Sequence, residues 1–253
     1  MKTQLKTLGT LSLLFIMFFS SCTKETESAK LDIRLTDAPG QYDNVFIDIQ
    51  GIEIHSDSGW ISPSSFNAGI YDLLELNNGL DTLLCAIDMP VGKISQIRLI
   101  LGDNNTVVVD SISFPLTTPS AQQSGLKLNV HMDIQPNVSY TILLDFDAAK
   151  SIVLTGNGKY ILKPLIRAIT DQSNGKIKGY VIPTSAQATV YAINASDTVA
   201  AIPNNNGYFM ICGLNGTYDL LISPANTAFQ DTLLSGIQVS WGSITNVDTI
   251  TLH

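Results

Sequence analysis

The residues best spaced for chemistry are Asp145 and Asp147. Two apart on a strand, both carboxylates would leave one face while Ile142, Leu144 and Phe146 fill the other. Such a pair can serve acid-base hydrolysis or hold a cation. Calcium, however, needs about six to eight oxygens, and no loop of alternating acids surrounds this pair. Salt bridging explains the pair better, in a polar cluster of Asp37, Asp145 and Asp147 with Arg98, Lys163 or Arg167. Asp147 can also cap a short helix over Ala148 to Val153. The histidines, His55, His131 and His253, form no metal-spaced pair, and His55 before Ser56 and Asp57 reads as a strand end running into a turn. There is no nucleophile elbow of the GxSxG type and no glycine-rich loop opening a helix. Neither catalysis, a cofactor nor a metal is expected. What remains is stacking. Trp60 and Tyr71, with Tyr42, or Trp241 with Tyr208, can present rings to a sugar, although aromatic residues of β-sandwiches more often fill the core.

Composition narrows the partners. Lys and Arg total 14 against 22 Asp and Glu, a formal charge of −8, and no Lys or Arg follows Lys178. Nucleic acid and anionic lipid surfaces need a basic stripe that this chain lacks. The 253 residues suffice for one large domain or two small ones. Of three cysteines, Cys85 and Cys212 lie far apart in apolar stretches and read as buried thiols, although an oxidising compartment would permit a bridge.

The first 27 residues set the location. Lys2 and Lys6 precede an uncharged, mostly apolar run from Thr7 to Thr23, which is shorter than the ~20 fully apolar residues of a membrane span and ends in Ser20, Ser21 and Cys22. This resembles a bacterial lipoprotein signal, with Phe19 where leucine is commonest. The resemblance implies cleavage after residue 21 and lipidation of Cys22, so that the membrane is a partner through the lipid. Cleavage would remove two basic residues and no acid, taking the charge from −8 to −10. Thr23 to Lys30 is polar and reads as a tether, and Lys24, Glu25 and Glu27 resemble acidic signals that send some lipoproteins to the outer cell surface.

Alternation then takes over. Leu31, Ile33 and Leu35 share one strand face, and Asp37 to Gly40 reads as an Asx-turn with Pro39. Val45, Ile47 and Ile49 point inward, but after Gly51 the apolar set becomes Ile52 and Ile54, which predicts a β-bulge at Gly51. Further strands are expected at Ile70 to Leu76, Lys93 to Leu101, Thr106 to Asp110, Leu126 to Val130, Ser139 to Phe146 and Lys159 to Ile169. A helical turn or two is expected within Asn78 to Ile87. Asp171 to Lys176 is turn-rich and marks a boundary, after which Asn206-Gly207 has hairpin chemistry with Phe209 and Ile211 facing inward.

Three further resemblances bear on these segments. LTDAP at Leu35 to Pro39, His55 with Trp60, DFDAAKSI at Asp145 to Ile152 and YILKP at Tyr160 to Pro164 resemble the DUF4382 family. That family is a domain of unknown function found mostly in secreted and lipid-anchored bacterial proteins, and it implies no activity. Residues 171–253, with Asn206-Gly207 and Gly216-Thr217-Tyr218, resemble the prealbumin-like, carboxypeptidase-regulatory-like domain, a seven-stranded sandwich without catalytic residues. Asp followed by Ser or Thr and an aliphatic residue recurs at Thr82, Ser111, Thr198, Thr232 and Thr249, and resembles an O-glycosylation sequon of some envelope bacteria; strand starts of ordinary composition would look the same.

The expectation is an all-β protein of two tandem β-sandwich domains, Greek-key or prealbumin-like, with a signal peptide at 1–21, a tether at 22–30, a first domain at 31–170 and a second at 171–253. Its expected role is a lipid-anchored, surface-exposed outer-membrane module that binds a glycan or an envelope protein. One alternative is a pilus-like subunit that exchanges a strand, with Arg34 as a processing point. The other is a hydrolase using Asp145 and Asp147.

Overall fold

The computed structural model describes residues 27–38, 40–118, 125–170 and 175–253. The signal peptide, Cys22 and Pro39 lie outside the described residues, as does most of the boundary at 171–176. Nearly every described segment is strand. In chain order the first group is β1 (Ser28–Ala38), β2 (Asn44–Ser56), β3 (Gly59–Ile61), β4 (Gly69–Asp72), β5 (Thr82–Pro90), β6 (Gly92–Leu101), β7 (Thr106–Val109), β8 (Ile112–Thr117), β9 (Leu126–Ile134) and β10 (Ser139–Asp147). A one-turn helix α1 (Ala148–Ser151) leads to β11 (Ile152–Leu154), β12 (Tyr160–Leu162) and β13 (Ile166–Thr170). The second group is β14 (Gly175–Ile182), β15 (Ala188–Ile193), β16 (Thr198–Ala201), β17 (Tyr208–Leu214), β18 (Gly216–Pro224), β19 (Thr232–Val239) and β20 (Ile244–Thr251).

The first group builds two sheets. One has the order β13-β10-β1-β5; the other runs β11-β12-β8-β7-β2-β6-β9, with β3 and β4 added on β2. β1 is interior, parallel to β10 and antiparallel to β5, and its alternation buries Leu31, Ile33 and Leu35 completely. They share one core with Val45, Ile47, Ile49 and Ile54 from the facing sheet, the arrangement of a β-sandwich. The expected bulge is present, because the pairing of β2 with β6 shifts register between Ile49 and Gly51.

The second group forms sheets β17-β14-β20 and β16-β15-β18-β19, with their own core around Phe209, Ile211, Val190, Leu220 and Ile222. Phe209 and Ile211 face inward as expected. Asn204 to Gly207 does form a tight turn, closed by the Gly207 amide on the Asn204 carbonyl at 2.7 Å. It is not a hairpin, since β16 and β17 belong to different sheets and the chain crosses the sandwich there. A Cβ on Gly207 (φ +81°) would fall 2.4 Å from the Val181 carbonyl oxygen, so the turn requires glycine.

Other local expectations change. β1 begins at Ser28, so the last residues assigned to the tether are already strand. At its other end Asp37 continues the strand instead of making an Asx-turn, because its carboxylate accepts from the Ala148 amide at 3.0 Å. Ile70 to Leu76 divides into β4 and a 3-10 turn at Leu73–Glu75, which Asp72 caps through the Leu74 amide. The helical turns expected within Asn78 to Ile87 are instead β5, drawn into strand by pairing with β1. Lys159 to Ile169 is interrupted between β12 and β13 around Pro164, which has no N–H for a ladder. α1 ends at Ser151, where Ile152 turns to extended backbone and pairs with Leu162.

One loop ties the two groups together. The Asp37 amide bonds the Leu76 carbonyl at 2.8 Å, and Thr36 Oγ1 lies 2.8 Å from both the Leu76 and Leu80 oxygens, pinning this loop to β1. From it Asn78, in the left-handed conformation (φ +55°), donates to the Ile202 carbonyl at 3.1 Å and accepts from the Met210 amide at 3.3 Å. Its amide thus acts as a short piece of backbone for both partners.

Candidate functional site

The feature with most binding chemistry lies on the outer face of the larger sheet. β2 and β3 form a hairpin that pairs His55 with Trp60 and Ser56 with Gly59. Asp57 at its turn accepts from the Lys93 amide at 2.8 Å, which fixes the hairpin against β6. Cross-strand register then places Gln96 of β6 beside His55, and Asn129 of β9 beside Gln96. Trp60 remains 42% exposed, large for an indole in a sheet protein.

Neighbouring side chains hold the indole from two sides. The Arg98 guanidinium carbon sits 4.1 Å from the ring centroid, and Glu53 fixes Arg98 with a 2.5 Å ion pair. A cation so placed contributes about 0.5–1 kcal/mol at an exposed site. The His55 ring meets Trp60 edge-on, with centroids 4.9 Å apart, while its Nδ1 contacts Ser95 Oγ at 2.8 Å. Gln96 Nε2 donates to Asn129 Oδ1 at 3.2 Å. His55, Trp60, Ser95, Gln96, Asn129 and His131 line an open cleft of about 450 Å³. All of them stand on strands, so the platform is preorganised, and it offers amide, hydroxyl and imidazole groups beside one aromatic surface.

The expected polar cluster assembles in part. Arg167 Nε donates to Asp145 Oδ2 at 3.0 Å, a second guanidinium nitrogen contacts the same oxygen, and Nη1 lies 3.6 Å from Asp197 of the second group. Asp147 caps α1 through the Lys150 amide at 2.9 Å and pairs with the Lys150 ammonium at 3.0 Å. Asp37 joins through Ala148, but its Oδ2 is buried with no hydrogen-bond partner among the described residues. Burial pushes its carboxyl well up, against the pull of the Ala148 amide, and Asp145 and Asp147 add to the rise. Burial also raises Asp145, while Arg167 opposes the shift. Arg98 and Lys163 do not join: Arg98 is taken by Glu53 and Trp60 on the other sheet, and Lys163 is exposed. The carboxylates are thus committed to an ion pair, a cap and a structural amide.

The other candidates are scattered. The Tyr71 hydroxyl donates to the Asn67 carbonyl, and its ring packs against the first core. Trp241 is 61% exposed, between β19 and β20, far along the chain from Trp60. Cys85 and Cys212 are free thiols, with burial raising Cys85 to about 11. Thr82, Thr198 and Thr232 each open a strand, Ser111 sits in the turn between β7 and β8, and Thr249 lies in β20; none is fully buried. Among the described residues no group of three or more His, Cys, Asp or Glu side chains could hold a metal ion, and no helix is long and apolar enough to cross a membrane.

Sequence reading reached Trp60 and His55 but not the rest of the platform. Ser95, Gln96, Asn129 and His131 come from strands whose register no local pattern announces; only the alternation of β6 and β9 placed polar residues on this face.

Among known proteins, no curated one matches the chain. Solved structures similar to it include the TIE protein of Bacillus anthracis, at 11% identity over 89% of this chain and 34% of that one, with a TM-score of 0.24. The shaft pilin SpaA of Lactobacillus rhamnosus GG matches at 10% identity over 90% of this chain and 97% of the pilin, TM-score 0.23. A fimbrial protein of Bacteroides ovatus matches at 10% identity over 89% of this chain and 50% of that one, TM-score 0.23. The chain spans about a third of the length of the first of these proteins. The family comparison is firmer: residues 28–164, more than half of the chain, match the model of the Domain of unknown function (DUF4382) and enclose all four of the features that resembled it, so the chain belongs to the DUF4382 family.

Proposed function

We propose that this protein is a non-catalytic binding module of the bacterial cell envelope, lipid-anchored through Cys22 and displayed at the outer membrane, whose first sandwich captures a glycan on the Trp60 face. The second sandwich serves as a prealbumin-like spacer, which its seven strands in sheets of three and four support. The observation that carries the reading is Trp60 itself: a 42% exposed indole braced by Arg98 and His55, next to the amides of Gln96 and Asn129. A pyranose presents an apolar C–H face to stack on a ring and hydroxyls to meet amides, and this platform offers both. The acidic chain favours neutral glycans over anionic ones.

The test is a titration of the purified full chain in mild detergent with neutral hexasaccharides of glucose and of N-acetylglucosamine, followed by tryptophan emission. Binding should shift the emission in the native chain and in Trp241→Phe, and the shift should vanish in Trp60→Phe. A response that survives in Trp60→Phe would sink the assignment. Proteinase K treatment of intact cells would degrade the protein if it is displayed outside, with a periplasmic protein as lysis control.

The pilus-like alternative asks more of the fold. Strand exchange through removal of β1 would extract an interior strand whose Leu31, Ile33 and Leu35 are completely buried, and would break the pairing of Arg34 with Asp81. Detergent-resistant ladders in gels of native material would favour it nonetheless.

A further inference from the structure

A second recess lies where the two strand groups meet, away from Trp60. It consists of two adjoining depressions of about 520 and 400 Å³, which share Gln41, Thr189 and Ile202 and so form one continuous groove. One wall comes from the first group, through Gln41, Tyr42 and the start of α1; the other comes from β15, β16 and the loops at Pro183 to Gln187 and Pro203 to Asn205. Clefts between packed units are where ligand sites most often occur, since each unit supplies one wall without cutting into its own core.

The lining has a specific chemistry. Tyr42 and Tyr191 place two half-buried aromatic rings in the same depression. The side chains of Gln41, Gln187 and Asn205 are exposed in this lining and those of Thr189 and Tyr191 are half-buried, which leaves three amides and two hydroxyls facing the groove. The charged members cancel, because Asp147 and Lys150 pair with each other at 3.0 Å and the Lys150 ammonium also donates to the Thr198 carbonyl at 3.1 Å. Val181, Pro183, Ile202 and Pro203 supply an apolar floor. Solvent-facing amides and hydroxyls beside two tyrosine rings, with no net charge, suit a ligand that is rich in hydroxyls, ring-shaped and uncharged. A charged peptide would find no counter-ion in this groove, and a phosphate would find only a lysine already engaged twice.

We propose that this groove is a second binding site, for an extended neutral oligosaccharide laid across both halves of the molecule, with Tyr191 and Tyr42 as stacking surfaces and Gln41 and Asn205 as hydrogen-bonding groups. The proposal does not depend on the Trp60 site. A ligand bound here touches both strand groups, so its occupancy would also strengthen their association.

The experiment is isothermal titration of the full chain in mild detergent with cellohexaose, maltohexaose and chitohexaose, and with a neutral hexapeptide as competitor class. The variants are Tyr191→Ala, Asn205→Ala and Trp60→Ala. Thermal melting confirms that each folds, and Asn205→Ala, at an exposed loop position, keeps the test open should Tyr191→Ala be unstable. At least one hexasaccharide should bind the Trp60→Ala protein, and that binding should weaken by about tenfold in Tyr191→Ala and severalfold in Asn205→Ala. Binding that disappears in Trp60→Ala and persists in Tyr191→Ala would overturn the groove while upholding the sheet face. Absence of any hexasaccharide binding to Trp60→Ala, or binding of the hexapeptide alone, would also overturn it.

Discussion

The two halves of this protein reach the same architecture by different chemistry. Among the described residues, the ion pairs of Arg34, Arg98 and Lys150, and that of Arg167 with Asp145, lie within the first half; only the pair of Arg167 with Asp197 reaches the second. The second half has no Lys or Arg after Lys178 and depends instead on close backbone packing. A Cβ on Gly175 would fall 2.3 Å from the Leu214 oxygen, and one on Gly179 would fall 2.8 Å from the Asp248 oxygen. Stability in the first half should therefore depend on protonation, while stability in the second should depend on shape.

The sharpest way to break this comparison is Phe209→Ala. The ring is completely buried in the second core, and its loss should cost about 3–5 kcal/mol. The molecule carries two tryptophans, one in each half, so Trp60→Phe and Trp241→Phe backgrounds let urea unfolding be followed separately. The Trp241 midpoint should fall sharply and the Trp60 midpoint by less. Equal falls would mean that the halves unfold as one unit.

Next in size is Arg167→Met, which removes the guanidinium from buried Asp145 and should cost about 2 kcal/mol at neutral pH, discounted because Arg167 is itself partly exposed. The loss has a sign in pH. Without Arg167 the Asp145 carboxyl, already raised by burial, rises further, so the folded state takes up its proton more readily than the unfolded state. The deficit should shrink between pH 7.5 and pH 5 in urea midpoints read at Trp60. A deficit that is flat with pH would show that Arg167 acts by packing alone.

The smallest effect belongs to Asp37→Asn. The native carboxyl is raised well above its ordinary value, so folding is favoured while it is protonated. That advantage is lost as pH climbs from the unfolded value of about 4 through the folded one. The asparagine variant should lack this slope and gain on the native chain as pH rises, again at the Trp60 probe and not at Trp241. A slope that persists in the variant would assign it to another group.

How much of this was legible in the sequence follows from where each pattern gets its information. β1 and β2 were readable because each has one buried face, and even the bulge at Gly51 appears as a phase slip in the aliphatic residues. β5 was not, because Leu83 to Ile87 is a continuous apolar run with no period to separate strand from helix; its partner β1 decides. β8 was hidden by Pro115, which is tolerated there opposite Thr106. The ion pair of Asp145 with Arg167 was foreseeable as one of several options, and cross-strand register selected it. The Trp60 platform and the groove draw on residues that only the tertiary arrangement brings together.

The parallel pairings have a mechanical consequence. β1 runs parallel to β10 over nine residue pairs from Lys30 to Ala38, and β14, the first strand of its half, runs parallel to β20, the last. Tension applied between the start of β14 and the end of β20 pulls these neighbours past each other along their length, so the rungs between them share the load and must yield together. An antiparallel hairpin pulled at its open ends yields one rung at a time. The second half, pulled at its two ends, would thus stretch little before it failed.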